Sequence, residues 1–349
     1  MNTPEPTKNH TNTEEIIKKL PKLEQHIHIV GSTKPETLLG IIEDNGVEMP
    51  FKNLDDVKKF FQYGDFPHFL NVYSTVNDCI TEPKYYERIT YEMLESEAAC
   101  NVKHVEAIFS ANDHVRRGLD YGEMLDAINK GIRRAKRKWG ITCTIRIDLV
   151  RNYGPEVAAK ELGWIKKKGD NIVAVDLGGS ENGFPPEPYE KVYKKASDLG
   201  LRLVAHAGED AGPESIWGAV KTLNVERIGH GVTAVKDPTL LKEIKSRGIT
   251  IEACPTSNLR IGAVKSVKEH PIRGFIKQGI RVSVNSDDPP MFNTDINNEY
   301  LQLHRELGFT VDELMRISLD SVETSFLPEK RKNELRETFL REYRELKRS

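Results

Sequence analysis

Short runs of β-branched and other apolar residues alternate with longer, charged stretches from residue 20 onward. The longer stretches have helical periodicity, as in residues 120–140 and 237–248, the second of which begins with a capping Asp237 and ends with Gly248. Eight short runs predict strands, at residues 26–30, 102–110, 142–150, 172–177, 202–207, 227–231, 250–255 and 281–286. This alternation predicts a parallel (β/α)8 TIM barrel.

The segments outside the alternation predict additions to the barrel. Residues 34–100 exceed a usual crossover, so we expect helices inserted after the first strand, with residues 65–76 placed to cover the barrel mouth. Residues 294–349 predict further helices at the C-terminus. The polar residues 1–14 predict a disordered tail, and no linker divides residues 15–349, which we expect to form one domain. An open doubly wound sheet is the alternative, but no Gly-rich phosphate-binding sequence follows the first strand.

Composition narrows the class of protein. Lys and Arg total 51 against 53 Asp and Glu, so a nucleic-acid partner is not favoured. The four cysteines form no CxxC pair, which argues against a disulfide framework and a thiolate zinc site and favours the reducing cytoplasm. No apolar run approaches the ~20 residues of a membrane span, and we find no export signal. We expect a cytoplasmic protein without a membrane partner, and predict no particular oligomeric state.

Polar side chains gather at the predicted carboxyl ends of the strands, where barrels of this type carry their active sites. His26 and His28 alternate on one strand and therefore point to the same side. Other strands end with further candidates, namely His206, Glu209, His230, Asp287 and Asp288. A helix cap, a core histidine or a turn explains each one singly, but their recurrence at successive strand ends predicts a common site.

The residue types indicate the chemistry of this site. Three His with one or two Asp suit Zn²⁺ or a similar divalent ion that keeps an open position for water. Such an ion lowers the pKa of bound water to about 7. Glu209, His230 and Asp288 remain as the acid and base groups, so the pattern predicts a hydrolytic reaction.

Six motifs, taken in order, resemble the adenosine and adenine deaminases of the amidohydrolase superfamily: LPKLEQHIHIVGS, VDLGGSE, HAGED, RIGHGV, CPTSNL and VNSDDPPMF. The resemblance spans residues 20 to about 300 and implies the same (β/α)8 barrel. It also implies a hydrolase that converts a small adenine-containing nucleoside to its inosine-type product and ammonia. Binuclear amidohydrolases often carry a modified Lys at the end of the fourth strand, and VDLGGSEN lacks one. We therefore expect a single metal ion.

The resemblance also implies a role for each candidate residue. One Zn²⁺ per subunit would be held by His26, His28, His206 and Asp287. Glu209 would be protonated and would donate to N1 of the purine, and its burial would supply the raised pKa this requires. His230, helped by Asp287, would orient or deprotonate the attacking water.

Further residues would contact the substrate, with His28 beside it. Asp288 would hydrogen-bond N7, and the backbone amide of Gly179 would donate to N3. The flat faces of the base need an apolar lid, for which Phe66, Phe69 and Leu70 are candidates; ordinary core packing explains them equally well.

Val30 departs from the pattern of the family. Adenosine deaminases usually have an acidic residue here that binds the ribose 5′-hydroxyl, and adenine deaminases usually have Glu. Valine accepts no hydrogen bond, so a buried 5′-hydroxyl would lose roughly 1–3 kcal/mol. This suggests a 5′-modified substrate such as methylthioadenosine or aminodeoxyfutalosine, with plain adenosine as the default.

Other functions remain as alternatives. A free-base adenine deaminase shares the motifs. Another amidohydrolase, acting on an ester or phosphoester, would share the metal ligands but not Glu209 together with Asp288. A non-catalytic nucleoside-binding protein would not need the complete set of acid and base residues that this chain retains.

Overall fold

The computed structural model describes residues 8–348. Their eight strands form one sheet in which each strand pairs in parallel with the next along the chain. The strands are β1 Lys22–His28, β2 Val102–Phe109, β3 Thr142–Asp148, β4 Ile172–Asp176, β5 Arg202–Ala207, β6 Arg227–His230, β7 Thr250–Ala253 and β8 Val282–Val284. This arrangement confirms the predicted (β/α)8 barrel.

The sheet closes between its first and last strands through the residues just after β8. The Asp287 backbone N–H donates to the carbonyl of His26 at 3.2 Å, and the His28 N–H donates to the Asp287 carbonyl at 2.9 Å. Asn285 adds a side-chain hydrogen bond across this seam, in which its Oδ1 accepts from the Gln25 N–H at 2.8 Å. The seam of the barrel is therefore made by the same segments that carry candidate site residues.

Helices surround the barrel, and four of them fill the predicted insertion between β1 and β2. The α-helices of the described residues are α1 Lys8–Lys19, α2 Pro35–Asn45, α3 Leu54–Phe60, α4 Phe66–Cys79, α5 Lys84–Ala99, α6 Ala111–Val115, α7 Tyr121–Trp139, α8 Pro155–Lys167, α9 Glu190–Asp198, α10 Pro213–Lys221, α11 Pro238–Arg247, α12 Pro255–Arg260, α13 Ile272–Lys277, α14 Pro289–Phe292, α15 Ile296–Leu307, α16 Val311–Thr324 and α17 Glu329–Leu346.

The ends of the chain are described in part. Of the segment 1–14, which we predict to be disordered, residues 1–7 lie outside the described residues, and α1 begins at Lys8. At the other end, α15–α17 form the predicted C-terminal helices. Within residues 8–348, no helix is both long enough and apolar enough to cross a membrane.

Local chemistry explains several helix and strand boundaries. The predicted cap of α11 is present, since the Asp237 carboxylate accepts from the Thr239 N–H at 2.8 Å and Gly248 ends the helix in the left-handed region. β7 stops at Ala253 because Pro255 opens α12. β1 ends two residues earlier than predicted, because Ile29 has helical dihedrals and a 3₁₀ turn follows.

Two groups of buried residues, one apolar and one charged, stabilise the barrel. Apolar side chains fill the layer between strands and helices. The barrel interior instead contains charged side chains that are at most 1% exposed, namely Glu106, Arg146, Arg227 and Glu252. Buried charges require partners, and these groups pair with one another and with residues of the site above them.

Candidate active site

The histidines of β1 and β5 converge at the carboxyl end of the barrel. The His26 and His28 rings lie 5.5 Å apart, and His206 at the end of β5 lies 4.5 Å and 5.4 Å from them, measured between ring centroids. One ligand nitrogen from each of the three lies within 4.8 Å of the others. The alternation of His26 and His28 thus has the predicted result, since both rings face one point.

These histidines fit a divalent metal ion. His26 is fully buried, and its Nε2 has no hydrogen-bond partner among the described residues. The Asp287 Oδ1 lies 3.3 Å from the Nε2 atoms of both His26 and His28. An unpaired buried nitrogen beside a carboxylate and two further imidazoles is the donor set of a zinc-type site.

Two carboxylates that sequence reasoning missed orient these histidines. Glu252 of β7 lies 2.8 Å from His26 Nδ1, and Asp176 at the end of β4 lies 3.1 Å from His206 Nδ1. Since each carboxylate engages Nδ1, it leaves Nε2 free for a metal, as partners of metal-binding histidines do. A single charged residue within an apolar strand was the only sequence signal for either one.

Glu209 lies on the loop after β5 and is held by another missed residue, Glu181. The Glu181 carboxylate accepts from the backbone N–H groups of Gly208 at 2.8 Å, Glu209 at 2.7 Å and Asp210 at 3.1 Å. Burial raises the pKa of Glu209 well above its usual value, and the carboxylates of Asp287 and Glu181 add to the rise. Glu209 is therefore suited to donate a proton at neutral pH.

His230 ends β6 with a backbone φ of 63°, a left-handed conformation that is uncommon for a residue other than glycine. Its Nδ1 lies 3.0 Å from Asn258 Nδ2, and its Nε2 lies 3.5 Å from Glu209 and 4.0 Å from Asp287. Burial holds the pKa of His230 well below its usual range. A neutral imidazole facing the acidic groups can accept a proton.

The adjacent aspartates after β8 have opposite properties. Burial alone would raise the pKa of Asp287, but the adjacent imidazoles of His26 and His28 hold it well below the usual range. Burial, and then the charge of Asp287, raise the pKa of Asp288 to about 8. One member of the pair is therefore a carboxylate and the other a protonated acid at neutral pH.

A cavity of about 880 Å³, including its open mouth, joins these residues and has the size of a small-molecule site. Most of the predicted site residues line it, namely His28, Gly179, His206, Glu209, His230, Asp287 and Asp288. The predicted lid residues Phe66, Phe69 and Leu70 also line it. Phe69 stacks on Phe292 with centroids 4.9 Å apart, so it serves the core as well.

Val30 does not have the position that the sequence suggested. It is 2% exposed, packs in the apolar core and is not among the described residues that line the cavity. The alternation of β1 stops at His28, and Val30 begins a 3₁₀ turn, so its side chain no longer follows the direction of His28. The inference from Val30 to the 5′ end of the substrate therefore lacks structural support.

A parallel barrel with a His and Asp cluster, a protonated Glu and a neutral His at its carboxyl end defines a metal-dependent hydrolase of the amidohydrolase superfamily. The family model for adenosine deaminase matches residues 21–341. The chain belongs to the adenosine deaminase family, and it is a deaminase.

Relatives and solved structures agree with this assignment. The chain is 34% identical over 322 residues to the adenine deaminase of Acinetobacter baylyi, covering 92% of this chain and 97% of the relative. It is 36% identical over 318 residues to the aminodeoxyfutalosine deaminase of Streptomyces avermitilis, covering 89% and 88%.

The fold is similar to that of two solved structures. The adenine deaminase from Arthrobacter aurescens superposes with a TM-score of 0.90 at 28% identity, over 95% of this chain and 100% of that one. An amidohydrolase from Burkholderia ambifaria with bound Zn gives 0.88 at 28% identity, over 99% and 95%.

Proposed function

We propose that the protein catalyses the zinc-dependent hydrolytic deamination of an adenine-containing nucleoside. His26, His28, His206 and Asp287 would hold one Zn²⁺, which when bound would make a coordinated water molecule more acidic than bulk water. The unpaired Nε2 of His26 and the position of Asp287 support this set of ligands.

The roles of the other residues follow from their protonation states. Glu209 donates a hydrogen bond to N1 of the ring, which makes C6 more electrophilic. His230 takes a proton from the attacking water, and Asp287 orients that water. The water oxygen adds to C6 while the Glu209 proton moves to N1. The proton that His230 took from the water then passes to the amino nitrogen, the bond from C6 to this nitrogen breaks and ammonia leaves, and the C6 hydroxyl returns its proton to Glu209.

Two groups fix the base during these steps. Asp288, with a pKa of about 8, is protonated at neutral pH and donates to N7. The backbone amide of Gly179 donates to N3; this glycine lines the cavity with φ 84°, and a Cβ there would collide with Asn152.

The extent of the cavity is the observation that carries the nucleoside proposal. The acid, base and ligand residues come from β1, β5, β6 and β8, but the cavity continues to the ends of β2 and β3, across the barrel from β6 and β7. That second end is polar and is lined by Ser74, Asn77, Ser110, Asp113, Arg117 and Tyr153. Free adenine has no sugar and would leave this polar end of the cavity unfilled.

Asp113 is the centre of this polar end. Its carboxylate accepts from Tyr153 Oη at 2.7 Å and from Asn77 Nδ2 at 3.1 Å. A carboxylate has about four lone-pair directions, so Asp113 retains the capacity to accept from sugar hydroxyls. We assign the ribose to this end of the cavity.

Two findings bear on the exact substrate. The similarity to the aminodeoxyfutalosine deaminase of Streptomyces avermitilis supports a 5′-modified nucleoside. The similarity to the adenine deaminase of Acinetobacter baylyi supports the second candidate, deamination of free adenine.

A substrate panel tests the proposal. Ammonia release is measured for adenosine, 5′-deoxyadenosine, methylthioadenosine, aminodeoxyfutalosine and adenine with protein of known metal content. We expect the highest kcat/KM for a nucleoside. A higher kcat/KM for adenine would replace the nucleoside proposal by the free-base one, and no ammonia from any of these compounds would reject both.

A further inference from the structure

Arg146 of β3 lies at the centre of the barrel, beneath the histidine cluster, with its side chain fully buried. Its Nη1 donates to Glu252 Oε1 at 2.6 Å and Oε2 at 2.8 Å, and its Nη2 donates to Asp176 Oδ2 at 2.6 Å. One guanidinium therefore joins a carboxylate of β7 to a carboxylate of β4.

Each of these carboxylates also contacts a different histidine of the candidate metal site. The Glu252 Oε2 lies 2.8 Å from His26 Nδ1, and the Asp176 Oδ1 lies 3.1 Å from His206 Nδ1. The result is a continuous chain of polar contacts from His26 to His206 that passes through Arg146.

Arg146 also fixes the backbone at one end of this chain. Its Nη1 donates to the carbonyl of Gln25 at 2.8 Å, immediately before His26. A guanidinium is planar and presents its donors in a rigid fork, so its three partners are fixed relative to one another. A lysine ammonium has no such fork and is expected to hold fewer of these groups in place.

The contacts of the two carboxylates fix which histidine nitrogen faces the metal site. Glu252 and Asp176 each contact a guanidinium on one side and a histidine Nδ1 on the other. Because Nδ1 is engaged in both histidines, Nε2 remains as the ligand atom.

We propose that Arg146 is a positioning residue that sets the orientation of His26 and His206 together and thereby tunes the affinity of the metal site. The inference rests on the proposed function, because it takes these two histidines as metal ligands. Arg146 does not line the cavity and has no direct part in the reaction.

Arg227 offers a matched control. It is 1% exposed, its Nε lies 2.9 Å from Glu252 Oε1, and it pairs with Glu106, but within residues 8–348 it forms no ion pair with Asp176. Arg227→Lys removes a buried guanidinium from the same charged core and from one side of Glu252, but it leaves in place the contacts of Arg146 with Glu252 and Asp176.

The experiment compares Arg146→Lys, Arg227→Lys and the wild type. Zinc affinity is measured by competition with a chelator, thermal stability by the Tm, and ligand geometry by the visible spectrum of the Co²⁺-substituted protein. We expect Arg146→Lys to bind zinc about 10- to 100-fold more weakly and to shift the Co²⁺ spectrum. Arg227→Lys should keep the Co²⁺ spectrum of the wild type and bind zinc within about threefold of the wild-type affinity, even if its Tm falls as much as that of Arg146→Lys.

Two results would overturn the inference: unchanged zinc affinity in Arg146→Lys, or equal losses in both variants that follow their losses of Tm. A wild type that binds no zinc would instead reject the proposed function. The two failures are therefore distinguishable.

A double-mutant cycle covers the case in which Arg146→Lys does not fold. Asp176→Asn and Glu252→Gln each disturb one end of the chain. If Arg146 couples the ends, their effects on zinc affinity are non-additive, with the double variant losing less than the product of the single losses. Strict additivity would contradict the coupling.

Discussion

At the scale of single residues, two members of the site have backbones that only glycine adopts easily. His230 has φ 63° and Asp287 has φ 65°. Such conformations cost roughly 1–3 kcal/mol each and persist only where the surrounding structure enforces them. For Asp287 the two backbone hydrogen bonds with His26 and His28 provide that support. The barrel seam therefore stabilises the conformation in which Asp287 reaches both histidines.

Glu209→Gln tests the acid role directly. Glutamine keeps the size of the side chain but cannot transfer a proton to N1, so kcat should fall by roughly 10²- to 10⁴-fold. Steady-state ammonia release measures the loss, and metal analysis should show unchanged zinc, because Glu209 is not a proposed ligand. Near wild-type activity in the zinc-loaded variant would exclude Glu209 as the acid.

Gly31→Ala tests the position of Asp288. A Cβ on Gly31 would collide with the Asp288 carboxyl group and displace it. Losing a hydrogen bond to the purine should lower kcat/KM by roughly 10- to 100-fold. Gly64→Ala is the matched control, since nothing lies within 4 Å of a Cβ there. Equal kcat/KM for the two variants would show that Asp288 is not required where the structure places it.

The sequence predicted those site residues whose position follows from strand periodicity alone. His26 and His28 alternate, and His206, His230 and Asp287 end strands or follow them directly. It did not predict Arg146, Asp176 or Glu252, because their function depends on which strands face each other across the barrel. The family pattern, not strand periodicity, suggested that Val30 lies near the substrate, and the 3₁₀ turn that begins at Val30 could not be read from either.

At the scale of elements, the polar end of the cavity is assembled from three separate segments. Asn77 comes from α4, Asp113 from α6 after β2, and Tyr153 from the loop after β3. The insertion predicts a helix over the mouth at residues 65–76, but not that Asn77 meets Asp113, because this contact depends on tertiary packing. The substrate range therefore depends on an element outside the regular barrel pattern.

Asp113→Asn tests whether this end binds the sugar. The amide accepts fewer hydrogen bonds than the carboxylate, so nucleoside KM should rise roughly tenfold, the effect of about 1.4 kcal/mol. Turnover of adenine, which does not reach this end, should stay within about twofold. The ratio of the two kcat/KM values is the measurement, and an equal loss for nucleoside and adenine would argue against a sugar site.

The same residue predicts a dependence of stability on pH. Burial raises the pKa of Asp113 to about 6, and Asp148 adds to the rise, while Tyr153, Arg117 and Asn77 lower it. Because the folded-state pKa exceeds the unfolded value, the stability contribution is present below about pH 4 and is lost as the pH rises through about 6.

We therefore expect the free energy of unfolding of the wild type to fall by roughly 2–3 kcal/mol relative to Asp113→Asn over this interval. Urea unfolding of both proteins at several pH values measures the difference. A constant difference between pH 4 and pH 7, roughly the interval of the titration, would mean that the Asp113 carboxyl does not titrate there.

At the scale of the whole molecule, strand count and order were predictable because each βα unit has its own local pattern. The eight predicted strands correspond to β1–β8, with ends that shift by a few residues. The closing contacts through Asn285 and Asp287, and the charged interior around Arg146, depend on residues distant in sequence. Those parts of the fold could not be predicted from the sequence and were seen only in the structure.

Metal removal tests how the site and the barrel depend on each other. The proposed ligands lie on β1, β5 and the segment after β8, so a bound ion would tie both sides of the barrel seam to the far wall. An ion that binds only the folded state, at 1,000 times its dissociation constant, contributes about 4 kcal/mol, or a Tm change of roughly 5 °C in a protein of this size. Chelation should therefore lower the Tm and abolish ammonia release. The far-ultraviolet circular dichroism should be retained, since the apolar core between strands and helices does not involve the ion.

Two controls accompany this test of metal removal. Adding Zn²⁺ should restore the Tm and ammonia release, and the Tm of His28→Ala should respond far less to the chelator. An unchanged wild-type Tm after verified zinc removal would show that the ion does not stabilise the seam.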